Sequence, residues 1–112
     1  MRVIGRKILL KLKKKQIGNQ KLGIEIDRLL NDLESFNPSN GSIKTYRADA
    51  DCVHPDGFYF FNLNIHRTLI LIELEDEGDA TIIWAGNHKE YDSTFKNNKN
   101  AIENWLKKFG YI

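Results

Sequence analysis

The 112-residue chain predicts a single α+β domain, because two kinds of apolar pattern occupy different parts of it. Apolar residues recur at three- and four-residue steps in the first third and again at the end, as amphipathic helices require. Residues 58–85 instead carry short aromatic and β-branched runs with only a few residues between them, which favours antiparallel strands over parallel ones with long crossovers. The expected order is a short N-terminal strand, two helices, a three-stranded antiparallel meander and a C-terminal helix. One core suits this length, and the whole of residues 1–112 is expected to form one domain.

Arg2 to Ile4 is short enough only for a brief strand. Arg6 to Lys15 is rich in helix formers, with Ile8, Leu9, Leu10 and Leu12 supplying an apolar side. Gly18-Asn19 interrupts it, and Leu22, Ile26, Leu29, Leu30 and Leu33 then mark a second helix ending near Phe36. Asn37-Pro38-Ser39-Asn40-Gly41 is the clearest turn cluster, in which Ser39 is expected to cap a brief turn leading through Ile43. Residues 58–64, 68–74 and 80–85 read as the three strands of the meander. Ala101, Ile102, Trp105, Leu106 and Phe109 return to helical spacing, with Trp105 expected in the core and Gly110 near the stop.

The formal net charge of +2 conceals an uneven distribution. Arg2, Arg6, Lys7, Lys11, Lys13, Lys14, Lys15 and Lys21 all precede Glu25, the first acidic residue, so the opening segment is strongly basic. It suits a solvated helix face, a phosphate chain or an acidic protein segment. Acidic residues collect in Glu73-Leu74-Glu75-Asp76-Glu77-Gly78-Asp79, a solvated turn that would repel phosphate. No apolar stretch approaches the roughly 20 residues that span a bilayer, and the opening lacks the apolar core of a signal peptide, so no membrane partner and a cytoplasmic location are expected. The one cysteine, Cys52, has no partner for an internal disulfide and is expected to be a small buried hydrophobe.

His88-Lys89-Glu90-Tyr91-Asp92, directly after the last apolar run, groups an acid-base residue, a cation, a carboxylate and a phenol. Phosphodiester cleavage needs a base for the RNA 2′-hydroxyl, positive charge at the crowded phosphorus and an acid for the departing 5′-oxygen. His88, Lys89 and Tyr91 can supply these without a cofactor or metal, and Tyr91 also offers a ring on which a base can stack. The plainer reading is a polar turn that only faces solvent. For cleavage, this segment and the cationic opening must meet in space.

Three stretches in order, Met1-Arg2-Val3-Ile4-Gly5-Arg6-Lys7, Phe61-Asn62-Leu63 and Gly86-Asn87-His88-Lys89-Glu90-Tyr91-Asp92, resemble the HigB toxins, a RelE-like branch of the bacterial mRNA interferases. The resemblance covers most of residues 1–92, with residues 93–112 as a C-terminal helical extension. It implies a RelE-like α+β toxin of a type II toxin-antitoxin system. Such a toxin cuts mRNA, commonly on the ribosome, and is restrained by a helix-turn-helix antitoxin. The implied reaction is metal-independent transphosphorylation by the 2′-oxygen. His88 is carried over as acid or base, Glu90 as a neighbouring polar group and Tyr91 as a stacking or proton-handling residue.

The chain departs from the family pattern on its strands. Ile83-Trp84 occupy the space where relatives carry a basic residue on the last strand. His66-Arg67-Thr68 stand where the preceding strand carries an early arginine. Arg67 fills that role only if the register places it on the correct face, since a slip of one residue reverses every side chain. Loss of one charge-stabilising donor costs about 100- to 1,000-fold in turnover, so a weakened enzyme is implied. Arg2, Arg6, Lys7, His66 and Trp84 are the candidate RNA-binding residues, with His66 also read as an exposed turn histidine or second base and Trp84 as core or stacking platform. Cys52-Val53-His54 lacks the paired spacings and fourth ligand of a zinc site, so no metal is expected. The rivals are a non-catalytic RNA- or protein-binding module and a structural partner domain that holds an acidic peptide.

Overall fold

In the computed structural model, which describes residues 1–112, five strands form one mixed sheet with helices on both faces. The strands are β1 (Arg2–Ile4), β2 (Asp51–His54), β3 (Phe58–Leu63), β4 (His66–Glu73) and β5 (Asp79–Asn87), in the order β1-β5-β4-β3-β2. The helices are α1 (Arg6–Lys15), α2 (Gln20–Ser35), the one-turn α3 (Ile43–Tyr46), α4 (His88–Phe95) and α5 (Lys99–Lys108). No helix is long and apolar enough to cross a membrane.

The expected meander is present as β3, β4 and β5, paired antiparallel, while β1 runs parallel beside β5 with Arg2 opposite Asp79. Both sheet faces are buried, which explains why the strands read as nearly continuous apolar runs. Leu9, Leu22, Ile26, Leu29 and Leu33 of α1 and α2 pack with Phe61, Ile70 and Ile82 on one face. On the other, Phe58, Phe60 and Leu69 meet Tyr91, Phe95, Ile102 and Leu106 of α4 and α5.

A bulge in β5 sets which residues go to which face. Leu69 pairs with Trp84 but Ile70 pairs with Ile82, so Ile83 is an extra residue between them. The buried Thr68 hydroxyl donates to the Trp84 carbonyl at 2.8 Å, which satisfies the main chain at this irregularity. Beyond the bulge Trp84 and Gly86 lie opposite Leu69 and Arg67, on the α4 side of the sheet.

Several expectations are corrected. The sheet gains a fifth strand, β2, whose Asp51-Cys52-Val53-His54 sequence lacks an apolar alternation because it forms an edge and is only half covered. Cys52 is exposed there, not buried, since no layer packs over it. Asn37, whose side-chain oxygen accepts from Ser39, caps the 3-10 turn Pro38–Asn40, and Ser42 caps α3; Ser39 caps neither. Trp105 is half-buried at the margin of the second core and Phe109 is exposed. The largest difference is at residues 88–92, expected as a turn after the last strand and found within helix α4.

The two N-terminal helices are antiparallel, tied by Arg6 to Glu34 at one end and Lys13 to Asp27 further along. The Met1 amino nitrogen reaches the carbonyls of Glu34 and Phe36 at 2.9 and 2.8 Å, at the C-terminal end of α2. At the other end, Asn19 donates to Asn64 in the β3–β4 turn. Consequently α1 starts beside the middle of β5 and runs toward the end of the sheet where β5 finishes.

Gly5 makes the turn from β1 into α1 with φ of 80°, and a Cβ there would lie 2.6 Å from the Ile82 carbonyl oxygen. Gly5→Ala is therefore expected to destabilise the fold by about 1–3 kcal/mol, read as a lower urea midpoint with an unchanged slope.

Candidate functional site

The site is built where β5 turns directly into α4. Asn87, the last residue of the strand, is also the helix cap: its side-chain oxygen accepts from the Glu90 backbone N–H at 2.8 Å, while Glu90 accepts from the Asn87 N–H at 2.9 Å. This reciprocal capping box satisfies two donors that a helix N-terminus otherwise leaves open. The His88 N–H donates to the Ile65 carbonyl at 3.1 Å, so the first turn of α4 is also fastened to the β3–β4 turn.

From this anchored start Tyr91 is carried down onto the sheet. Its ring is buried, 5.1 Å from Phe60 in an edge-on arrangement, and its hydroxyl meets the Asn97 side-chain oxygen at 3.3 Å. Arg67 projects from β4 on the same face and places its guanidinium carbon 4.4 Å from the centre of the Tyr91 ring. His88 lies near-parallel to that ring, at 6.2 Å and 23°. The His88 side chain is 67% exposed, and its Nε2 sits 3.8 Å from an Asp92 carboxylate oxygen one turn along. An open imidazole and a guanidinium thus share one aromatic ring at the end of the sheet where β4 begins and β5 finishes. One can move a proton and the other can meet a phosphate oxygen through several N–H groups.

The other candidate residues are distributed unevenly. Lys89 is exposed beside this cluster, and Glu90 is engaged in the capping box. Trp84 is half-buried, with its ring at 4.9 Å from Phe95 and 6.4 Å from Phe60, so it helps support α4. Gly86 is needed beside it: a Cβ there would fall 2.7 Å from the indole. His66, expected as an exposed turn histidine or second base, points to the opposite face from Arg67 and is only 4% exposed. Its Nδ1 has no hydrogen-bond partner.

Arg2, Arg6 and Lys7 do not join the cluster. Arg2 is paired with Asp79 at 3.0 Å at the start of β5, and Arg6 with Glu34; Lys7 is exposed in the first turn of α1. The length of β5 separates Asp79 from His88 by roughly 26 Å of strand rise. The expected meeting of the cationic opening with the His88 segment therefore fails for these three residues. The lysine-bearing end of α1, with Lys14 and Lys15, is the part that runs toward the His88 end of the sheet.

Three neighbours of the site have no role assigned from the sequence, although Asn62 and Asp92 stand within its motifs. Asn62 is exposed directly across from Arg67, a polar residue in an otherwise apolar strand. Asp92 stands four residues after His88, a helical spacing visible only once this segment is read as a helix. Asn97 receives the tyrosine hydroxyl from a left-handed turn at φ of 45°. No three metal-ligating side chains converge anywhere in the chain. No protein-family model matches the chain, and no curated protein matches it.

Burial lowers the His66 pKa below its ordinary 6.5, and the Glu90 carboxylate acts in the opposite direction. With the folded value depressed, the unfolded chain takes up the proton first as pH falls. The stability contributed by the neutral imidazole is therefore present at neutral pH and declines below about pH 6.5. Urea midpoints measured between about pH 7.5 and 5.5 should fall in the wild type and fall less in His66→Gln. Replacing the cap, Asn87→Ala, should cost about 1 kcal/mol in the same denaturation assay.

Proposed function

We propose that the chain is a metal-independent endoribonuclease of the HigB type within the RelE-like mRNA interferases, acting as the toxin of a type II toxin-antitoxin pair. The observation that carries this reading is the placement of Arg67, from β4, and His88, from the first turn of α4, against the same Tyr91 ring. Arg67 lies on the same sheet face as Tyr91, which supports the role. In the proposed reaction the RNA 2′-hydroxyl loses its proton and its oxygen bonds to the adjacent phosphorus. The bond to the 5′-oxygen breaks and that oxygen gains a proton, leaving a 2′,3′-cyclic phosphate and a free 5′-hydroxyl. His88 handles one of these protons. Arg67, with Lys89 nearby, offsets the charge that builds on the phosphoryl oxygens. The buried Tyr91 ring, which has no open face for the base stacking expected from the sequence, instead positions Arg67 and His88.

The substrate in this reading is mRNA on the ribosome in a bacterial cytoplasm, and the restraining partner is a helix-turn-helix antitoxin. A non-catalytic RNA- or protein-binding module is the second reading. It is favoured by Ile83 and Trp84, which leave the last strand without a cation, by the burial of His66, which leaves His88 as the one open imidazole of the cluster, and by the placement of Arg2, Arg6 and Lys7 away from His88, which denies the site the cationic opening that cleavage was expected to need.

Mapping of transcript 5′ ends in cells expressing the protein distinguishes these readings. His88→Ala and Arg67→Ala are each expected to reduce cleavage by about 100-fold or more. Tyr91→Phe, which keeps the ring and removes only the hydroxyl, should retain most activity if the ring serves only to position Arg67 and His88 and lose it if the phenol carries a proton. Wild type and His88→Ala that leave identical transcript ends and identical growth would refute the assignment.

A further inference from the structure

Arg67 stands in the middle of a row that crosses three strands, with Asn62 of β3 directly opposite it on one side and Gly86 of β5 on the other. Helix α4 closes down over the Gly86 side, where an added Cβ would meet the Glu90 Cβ at 3.2 Å. Asn62, on the other side, is exposed. Its side chain leaves the sheet on the same face as Arg67 and as the buried Phe60, because alternate residues of a strand share a face. The main chain beside it is held fast: the Asn62 N–H donates to an Asp49 carboxylate oxygen at 3.1 Å, and two Arg47 nitrogens grip that carboxylate at 2.9 and 2.7 Å. The side-chain amide of Asn62 makes no hydrogen bond within the protein, whereas those of Asn19, Asn37, Asn87 and Asn98 are all spent on capping.

We propose that Asn62 is a specificity-determining residue of this site, reading the hydrogen-bonding edge of an unpaired RNA base next to the phosphate that Arg67 meets. The assignment rests on the nuclease reading above. An exposed strand position accepts almost any polar residue, so exposure alone decides nothing; the place beside Arg67 and the idle amide carry the argument. An amide presents an N–H donor and a carbonyl acceptor side by side, which matches a base edge that offers an acceptor next to a donor. Single-stranded RNA leaves such edges open. Side chains directly opposite each other on antiparallel strands start about 4.5–5.5 Å apart, so a phosphate on Arg67 and a base on Asn62 can belong to one nucleotide or to adjacent ones. The grip of Arg47 and Asp49 on the main chain keeps the amide at that spacing. Discrimination requires such a fixed reader.

The test maps transcript 5′ ends at single-nucleotide resolution in cells expressing the wild type, Asn62→Ala or Asn62→Asp, and scores total cleavage separately from the base found at each position flanking the cut. Both substitutions are at an exposed position and leave the core closed; circular dichroism and the urea midpoint confirm that each variant is folded. Wild-type ends should favour one base at one flanking position. In Asn62→Ala the ratio of cleavage at favoured to disfavoured sites should fall by roughly tenfold. Asn62→Asp, which keeps an acceptor and loses the donor, should move the preference toward bases that present a donor at that edge. The proposal is overturned if the wild type shows no base preference, if Asn62→Ala keeps the wild-type preference, or if every site loses cleavage in proportion. Proportional loss is what a residue that only shapes the strand or touches phosphate would give. Cleavage with an unaltered preference in Asn62→Ala defeats this assignment and leaves the roles of Arg67 and His88 standing, whereas a wild type that cuts no transcript defeats the nuclease reading and this assignment together.

Discussion

The extra residue in β5 is the constraint on which the architecture depends. A strand reverses its side chains with every added residue, so the bulge at Ile83 allows one strand to serve two cores in succession. Before it, Ala80 and Ile82 belong to the core beneath α1 and α2. After it, Trp84 lies against Phe60 and Phe95 under α4. Without the insertion the later residues would face α1, and α4 would lose the aromatic surface that holds Tyr91. The buried Thr68 hydroxyl makes this irregular main chain tolerable by supplying the donor that the Trp84 carbonyl needs.

Charge follows the same separation into ends. Near the start of β5, arginines are consumed by structure: Arg2 holds Asp79 and Arg6 holds Glu34. Arg47 is similarly engaged with Asp49 and Asp32. Burial would raise the Asp49 pKa, but the Arg47 hydrogen bond, the Asn62 N–H and the Arg47 charge together bring it below its ordinary value. That carboxylate accepts from the main-chain N–H of Asn62, which lies on β3 directly opposite Arg67 of β4. Arg67, by contrast, lies over an aromatic ring and pairs with no carboxylate. The basic opening of the chain is therefore not one surface. Its arginines staple the fold, as Lys13 does with Asp27, while Lys14, Lys15 and Lys21 make no ion pair at the opposite end.

Legibility in the sequence depended on how local the deciding signal was. The helices α1 and α2 were readable from Leu22, Ile26, Leu29 and Leu33, because their whole apolar stripe lies within one segment. The meander was readable from its runs of aromatic and β-branched residues. Helix α4 was not, since Tyr91 and Phe95 are its only buried residues and two apolar positions do not make a stripe. Its local signal was the Asn87–Glu90 capping spacing, which also accounts for Glu90 without any chemistry. Strand β2 was missed because an exposed edge needs no apolar alternation. The Arg67, Tyr91 and His88 group was half legible: His88 and Tyr91 share a turn of helix, whereas Arg67 joins them only through pairing across the sheet.

By itself the sequence determined the α+β class, the order of most elements and the two amphipathic helices, together with the concentration of acid-base residues after the last strand. These follow from periodicity and composition, which act over a few neighbouring residues. Tertiary structure decided that His66 is buried while Arg67 reaches Tyr91, and that Arg2 and Arg6 are spent on ion pairs far from His88. It also decided that the residues after the last strand form a helix. Each of those outcomes turns on which strand face a side chain takes and on which distant partner meets it. Register and long-range pairing, set only when the bulged sheet closes against both helical layers, govern both.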